Sequence, residues 1–150
     1  MAPHARFRLR SAEGLRDEAS RLGLDIPYRD DISVLLERAS IGSWQIPNRL
    51  AVLPMEGADA GPSGAPSAST LRRYARYASG GAGLIWCEAA AVRPDGRSNP
   101  AQLMLTAGTV GAFARLVEGT RAAARKARGT GHSPLLVLQL THSGRFAKPQ

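Results

Sequence analysis

The chain has 150 residues, of which 43% are hydrophobic and 21% charged, so its composition predicts a folded domain of modest size and excludes a disordered chain. No apolar run approaches the roughly 20 residues of a membrane helix, and the basic N-terminus lacks the apolar segment of a secretory signal. We therefore expect a cytoplasmic protein without a membrane partner. The single cysteine, Cys87, excludes an internal disulfide and a metal site built from cysteines alone.

The net charge of +8 first suggests an anionic partner. From Ala60 onward, twelve Arg and Lys residues stand against only three acidic ones. They are scattered along helix-like segments without interleaved aromatic residues, a pattern that does not favour nucleic acid as the partner. We interpret them as solvated helix faces, which include Arg72, Arg73, Arg76, Arg121, Arg125, Lys126 and Arg128.

Residues 1–31 are predicted to form an N-terminal helical extension and a connector. An amphipathic helix is expected over residues 12–22, with Ser11 as its N-cap and Gly23 as the residue that ends it. Residues 25–31 contain a proline and several charged side chains, which is typical of a connector.

Short strands and turns are expected from residue 32 onward. The apolar runs 32–36 and 39–41 flank a polar pair, and Gly42-Ser43 then leads to residues 44–46, a pattern that predicts a β-hairpin. A short strand over Leu50–Leu53 follows and ends at Pro54. The stretch from Glu56 to Ser69 is rich in Gly and Pro and predicts a long flexible loop of functional importance.

The remaining chain alternates between helix-like and strand-like segments. Ser69 or Thr70 is expected to cap a helix that ends near Ala78, and a buried strand follows over residues 83–87. Thr109 is expected to cap a long helix with an inner stripe of Val110, Phe113, Val117 and Ala124, beside which Leu116 lies. An apolar run from Leu135 predicts a third strand buried on both faces. This alternation requires a parallel sheet with helices outside, either an open doubly wound sheet or a (β/α)₈ barrel.

Polar residues cluster where each predicted strand ends. The three ends are Leu53–Glu56, Cys87–Ala89 and Gln139–His142, and their repetition is typical of the rim of a barrel on which active sites are built. The glycine run from Ser79 to Gly83 precedes a strand instead of following one, so it predicts a helix stop and not a phosphate loop. His142 has no partner at ligand spacing and is interpreted as a structural residue that hydrogen-bonds the rim, and no metal site is predicted.

Four motifs of this chain, in the same order, resemble segments of the old yellow enzyme family of flavin oxidoreductases. Residues 47–55 (PNRLAVLPM) resemble its first strand, residues 74–85 (YARYASGGAGLI) its first helix and second strand, residues 88–97 (EAAAVRPDGR) the following loop, and residues 139–145 (QLTHSGR) its third-strand motif. The resemblance covers residues 32–150 and implies an α/β fold consisting of the first three β/α units of a TIM barrel, preceded by the N-terminal helix and the hairpin.

The resemblance also implies an activity and a cofactor site. The family carries FMN, is reduced by NADPH or NADH, and passes hydride to an activated alkene or a similar small electrophilic substrate. By resemblance, the backbone of Leu53, Pro54 and Met55 would lie along the flavin, Ala89 would approach its ring, and the Gln139 amide would bond its pyrimidine edge. By the same resemblance, Glu56 would occupy the position near the flavin N5 and O4, which in the family usually holds Thr, Cys or Ala.

A complete barrel needs about 250 residues, so the resemblance implies an incomplete barrel that is inactive in isolation. The flavin-phosphate loops, the substrate-anchoring pair and the catalytic acid would then belong beyond Gln150, and no catalytic residue is assigned. Two alternatives stay open. One is a non-enzymatic half-barrel that serves as a binding or assembly module and associates with further copies to cover its sheet edges, and the other is a basic nucleic-acid-associated protein.

Overall fold

The computed structural model describes residues 8–148, and the chain divides into two compact units, residues 1–32 and 33–150. The first unit contains the helix α1, Ala12–Arg21. Its predicted caps are confirmed: the Ser11 side chain accepts the Gly14 N–H at 3.1 Å, and Gly23 follows the helix with a φ of 64° that suits glycine. No helix within residues 8–148 has the length and apolar character needed to cross a membrane.

The second unit begins with the predicted β-hairpin. Strands β1, Ala39–Ile41, and β2, Trp44–Ile46, pair antiparallel around a turn in which Gly42 has a φ of 60°. The preceding run is not a strand, because residues Ser33–Leu36 form one turn of 3₁₀ helix. The Arg49 N–H donates to the Leu35 carbonyl at 2.9 Å and ties this turn to the rest of the unit.

Three parallel strands form the main sheet, which confirms the parallel arrangement expected from the sequence. Strand β3 is Ala51–Val52, β4 is Leu84–Ala91 and β5 is Leu135–Thr141, in the spatial order β3-β4-β5. Two helices connect them, α2 over Ala68–Ser79 and α3 over Val110–Arg128. Strand β4 runs four residues further than predicted, so Glu88 and Ala89 lie within it and not beyond its end.

The hydrophobic core lies between the sheet and the two helices. It includes Tyr74 and Ala78 of α2, Ile85 and Cys87 of β4, and Phe113, Leu116 and Ala124 of α3. The predicted stripe of α3 was partly wrong, because Val110 is 56% exposed and Leu116 is central to the core. Val110 is the first residue of the helix, where the helical stripe begins.

Strand β5 is half-buried, and the prediction that both its faces are buried was wrong. Within residues 8–148 it pairs with β4 alone, as the outer strand of the three, and Leu140 is 58% exposed. The apolar run had indicated a strand with two buried faces, but periodicity carries no information about which elements pack against each face.

The cap of α2 also differs from the expectation. The N-cap is Ser67, whose hydroxyl accepts the Thr70 N–H at 3.2 Å, while the Thr70 hydroxyl accepts the Ser67 N–H at 3.2 Å. Thr70 is therefore the third helical residue of a capping box and not the cap itself. At the other end, Gly80 and Gly81 stop the helix as predicted, and Gly81 has a φ of 92°.

The turn from α2 into β4 brings the backbone close to Asn48. The buried Asn48 amide donates to the Gly81 carbonyl at 2.6 Å, and its side-chain oxygen accepts the Leu50 N–H at 3.1 Å. A Cβ at Gly83 would lie 2.4 Å from the Asn48 carbonyl oxygen. The approach of β3 to β4 thus requires glycine at position 83.

We predict that Gly83→Ala lowers the free energy of unfolding by about 1–3 kcal/mol, because the new methyl group has to displace backbone atoms. Gly119→Ala is the matched control: nothing lies within 4 Å of its added Cβ in α3, so helix propensity should raise the free energy of unfolding by about 0.5–1 kcal/mol. Urea denaturation followed by circular dichroism measures both. Equal midpoints for the two variants would contradict the close approach.

Candidate functional site

The carboxyl ends of β3, β4 and β5 meet at one edge of the sheet, because the three strands are parallel. The predicted site residues fall at this edge. Leu53, Pro54, Met55 and Glu56 follow β3, Ala89 lies near the end of β4, and Gln139 lies near the end of β5. The Val92 N–H donates to the Thr141 carbonyl at 3.2 Å, and this bond joins the carboxyl ends of β4 and β5.

A β-bulge lies at the predicted cofactor positions. Cys87 pairs with Leu138 and Ala90 with Leu140, so Glu88 and Ala89 together lie opposite Gln139 alone. The bulge shifts the alternation of side chains along β4, so that Ala90 joins Ile85 and Cys87 in the core. Bulges next to functional sites serve to re-aim side chains in this way.

The segment after β3 presents apolar side chains at the same edge. Leu53 and Met55 are 68% and 76% exposed, and the Met55 N–H donates to the Leu53 carbonyl at 2.9 Å across Pro54. The Gln139 side chain is half-buried and makes no hydrogen bond within residues 8–148. This edge can accept a flat ring with polar edges. It offers the small residue Ala89, the Gln139 carboxamide without a partner in the described chain, and the exposed apolar segment 53–55.

Gln102 joins two of the predicted positions, and sequence reasoning missed it. Its side chain is 1% exposed, and the amide nitrogen donates to Glu56 Oε1 at 3.0 Å and to the Ala89 carbonyl at 3.3 Å. Its amide oxygen accepts the Ser98 N–H at 2.7 Å. A single glutamine in a polar loop carries no periodicity or spacing signal, so its role emerges only from the fold.

Glu56 is turned toward the loop that follows β4. Besides Gln102, the Ser98 hydroxyl donates to Glu56 Oε2 at 3.0 Å and the Asn99 amide at 3.3 Å. Both oxygens of the carboxylate are therefore engaged by residues 98–102, which anchors the start of the long loop after β3. The Ala60 N–H donates to the Ala101 carbonyl at 3.0 Å and adds a second anchor, so this loop is tied down and not free.

A buried carboxylate lies beside Ala89. Glu88 is 1% exposed and accepts hydrogen bonds from Arg73 Nη2 at 2.5 Å, the Gly57 N–H at 2.8 Å and the Tyr74 hydroxyl at 3.2 Å. The Glu88 N–H in turn donates to the Tyr74 oxygen at 2.8 Å. Burial raises the pKa of Tyr74, so its hydroxyl stays protonated and donates.

Arg73 links Glu88 to a second carboxylate on the loop after β3. It makes a two-point contact with Asp59, from Nη1 to Oδ2 at 2.5 Å and from Nη2 to Oδ1 at 3.1 Å. These bonds hold the pKa of Asp59 below its ordinary value, and the Thr70 hydroxyl adds a further bond at 2.8 Å. Helix α2, strand β4 and the loop are thereby joined by one charged network.

His142 supports the rim, as the sequence had indicated. Its Nδ1 accepts the Gly144 N–H at 3.0 Å, so the ring is held against its own turn. A Cβ at Gly96 would lie 2.7 Å from the His142 ring, so the loop after β4 packs directly on it. No group of three or more His, Cys, Asp or Glu within residues 8–148 has the geometry to hold a metal ion.

Comparison with known proteins relates this partial α/β architecture, with its parallel sheet, to TIM barrels. No protein-family model matches the chain, and no curated protein matches it either. Among solved structures, morphinone reductase in complex with tetrahydroNAD is 26% identical with a TM-score of 0.63, over 75% of this chain and 28% of that chain.

Two further structures are named as old yellow enzymes. An old yellow enzyme homologue from Zymomonas mobilis is 24% identical with a TM-score of 0.60, over 72% of this chain and 28% of that one. Old Yellow Enzyme from Pichia sp. AKU4542 is 23% identical with a TM-score of 0.64, over 76% of this chain and 28% of that one. The resemblance to the old yellow enzyme family is thus confirmed, and the chain spans just over a quarter of the length of these TIM-barrel oxidoreductases.

We predict that Asp59→Asn lowers the free energy of unfolding at pH 7 by about 1–3 kcal/mol, because a charged hydrogen-bonded partner of Arg73 is lost. Because the pKa of Asp59 is lowered in the folded chain, the stabilisation that Asp59 provides is fully present above its unfolded-state pKa of about 3.9. This stabilisation is lost progressively as the pH falls through the folded-state pKa. Denaturation as a function of pH should therefore show a flatter acid limb in the variant. The control is Asp95→Asn, which removes an exposed ion pair with Arg93. If the stability of Asp59→Asn fell with acid as steeply as that of the wild type, this assignment would be contradicted.

We predict that Cys87 is unreactive in the folded chain. Burial raises the pKa of its thiol to about 11, with a further contribution from Glu88, so the thiolate fraction near neutral pH falls on the order of 10²-fold below that of a free cysteine. Ellman's reagent should modify Cys87 slowly in the native chain and completely in denaturant. Rapid modification of the native chain would show that β4 opens readily.

Proposed function

We propose that this chain forms part of the flavin site of an FMN-dependent oxidoreductase. The single observation that carries the proposal is the bulge at Glu88–Ala89 opposite Gln139, beside the exposed segment Leu53–Met55. In this proposal the flavin is reduced by NADPH or NADH and passes hydride to an activated alkene or a similar electrophilic small molecule. The similarity to the old yellow enzyme homologues supports a function of the oxidoreductase class.

The residues at this edge fit the ring system of a flavin. Ala89 is small enough to let a planar ring approach β4 closely, and the backbone of Leu53, Pro54 and Met55 would lie along the ring. The Gln139 carboxamide both donates and accepts, as the pyrimidine edge of a flavin does, and it makes no hydrogen bond elsewhere in residues 8–148. The flavin would supply the redox chemistry, and these residues would orient it and exclude water.

Glu56 and its loop would set the charge next to the ring. A carboxylate beside a ring that gains electrons disfavours added negative charge. Three donors from Ser98, Asn99 and Gln102 hold the Glu56 side chain toward the loop after β4. In our proposal, Gln102 is a positioning residue that fixes both Glu56 and the Ala89 carbonyl, so the contour of the site depends on it.

The remaining functional parts would come from other segments of a barrel. The chain corresponds to 28% of the length of the morphinone reductase structure. We propose that residues 32–150 supply the first three β/α units, that residues 1–31 form an extension, and that the phosphate loops, the substrate-anchoring groups and the catalytic acid lie elsewhere. A cytoplasmic location is part of the same proposal, and the isolated chain is expected to be inactive.

A second candidate function rests on the open edge of the sheet. The outer side of β5 adjoins an apolar groove of about 280 Å³, formed between β5 and α3 by Leu136, Leu138, Phe113 and Val117 among others. Such a face favours association with another protein surface. A half-barrel that acts as a binding or assembly module would associate through this edge and would not respond to flavin.

We predict that FMN and riboflavin perturb the same amide signals of the chain, those of residues 53, 55, 56, 89 and 139, in two-dimensional NMR titrations. The two ligands should bind with similar, weak affinity, because the ring and not the phosphate meets this part of the barrel. Gln139→Leu should weaken binding at least about fivefold, the order expected for one lost hydrogen bond.

The matched control is Gln45→Leu, which removes a carboxamide that bonds Ser40 in the hairpin at 2.8 Å. It should leave flavin binding unchanged while it confirms that loss of a glutamine is tolerated. Scattered perturbations, or equal responses of the two variants, would remove the proposed flavin site from this edge.

A further inference from the structure

The outer face of α2 borders a cavity that the proposed flavin site does not use. The cavity has a volume of about 360 Å³, within the range of small-molecule sites. Its lining consists of Asp59, Ser69, Arg72, Arg73, Arg76 and Tyr77. The cluster of three arginines accounts for part of the basic excess that the sequence had attributed to solvated helix faces.

The base of the cavity is held together by hydrogen bonds, and it carries one net negative charge because Arg73 faces two carboxylates. Arg73 Nη1 and Nη2 are both engaged by Asp59, and Nη2 also bonds Glu88. The Asp59 oxygens are in turn occupied by Arg73 and by the Thr70 hydroxyl. Asp59 therefore directs its hydrogen bonds to Arg73 and Thr70, and it forms no ion pair with Arg72 or Arg76.

Arg72 and Arg76 carry the uncompensated charge of the cavity. Neither forms an ion pair with any acidic residue in the described part of the chain. They lie one helical turn apart, at a spacing that brings their side chains together and makes two like charges repel. Arg72 Nη2 bonds the Ser69 hydroxyl at 3.2 Å, and the Tyr77 hydroxyl makes no hydrogen bond within residues 8–148.

We propose that this cavity binds a phosphate-class dianion, either free phosphate or a phosphate monoester. Two guanidinium forks without acidic partners match the oxygens of a phosphate group bidentately, and its negative charge would relieve the repulsion between Arg72 and Arg76. The adjacent Tyr77 hydroxyl would add one donor. The proposal does not depend on flavin binding, since none of the cavity residues belongs to the proposed flavin site.

The test is a titration of the full chain with inorganic phosphate at constant ionic strength, followed by two-dimensional NMR. We expect saturable shifts confined to the signals of Arg72, Arg76 and Tyr77. Arg76→Ala should weaken the apparent affinity about tenfold, and the alanine should preserve the helix. Arg125→Ala is the matched control, because Arg125 also lies exposed in the last turn of a helix and its loss changes the net charge equally.

Co-sedimentation with phosphatidylcholine vesicles, with and without phosphatidic acid, distinguishes the source of the phosphate. Sedimentation that depends on phosphatidic acid and on Arg76 would support a lipid headgroup, whereas saturable phosphate binding without sedimentation would support a free ligand. Linear shifts that do not saturate, equal losses in Arg76→Ala and Arg125→Ala, or no response to either probe would overturn the proposal. Circular dichroism of each variant confirms that it is folded.

Discussion

The buried carboxylate of Glu88 is the constraint on which the rest of the second unit depends. An ionised carboxylate is stable at 1% exposure only if its oxygens are fully hydrogen-bonded, and Arg73, Tyr74 and the Gly57 N–H meet that requirement. These partners come from α2 and from the loop after β3. Satisfying one buried charge therefore fixes where the helix and the loop lie relative to β4.

The same bulge serves both stability and the proposed function. Glu88 and Ala89 together lie opposite Gln139. Glu88 anchors the network of charges, and Ala89 lies at the candidate cofactor site. Gln102 extends this coupling, because it bonds the Ala89 carbonyl and the Glu56 carboxylate at once. The rim is consequently held by hydrogen bonds between loops, although loops carry all but two of its predicted residues.

The two basic helix faces illustrate how tertiary structure divides residues that the sequence treats alike. The sequence pattern predicted that Arg73 and Arg125 are both exposed. Arg73 is instead held between two carboxylates, whereas Arg125 lies in the exposed last turn of α3. The difference arises because Asp59 and Glu88 are fourteen and fifteen residues away from Arg73 along the chain. Helical periodicity relates residues only three or four positions apart and cannot detect such partners.

The sequence by itself determined the alternation of strands and helices, the parallel sheet, the glycine stops and the family resemblance, because each depends on local periodicity or on a short motif. Only the tertiary structure decided the burial of β5, the inner face of α3 and the capping box of α2, which depend on neighbours. The bulge opposite Gln139 and the role of Gln102 belong to the same group. Gln102 meets Glu56 across 46 positions of sequence, and that contact exists only after the strands have set their register.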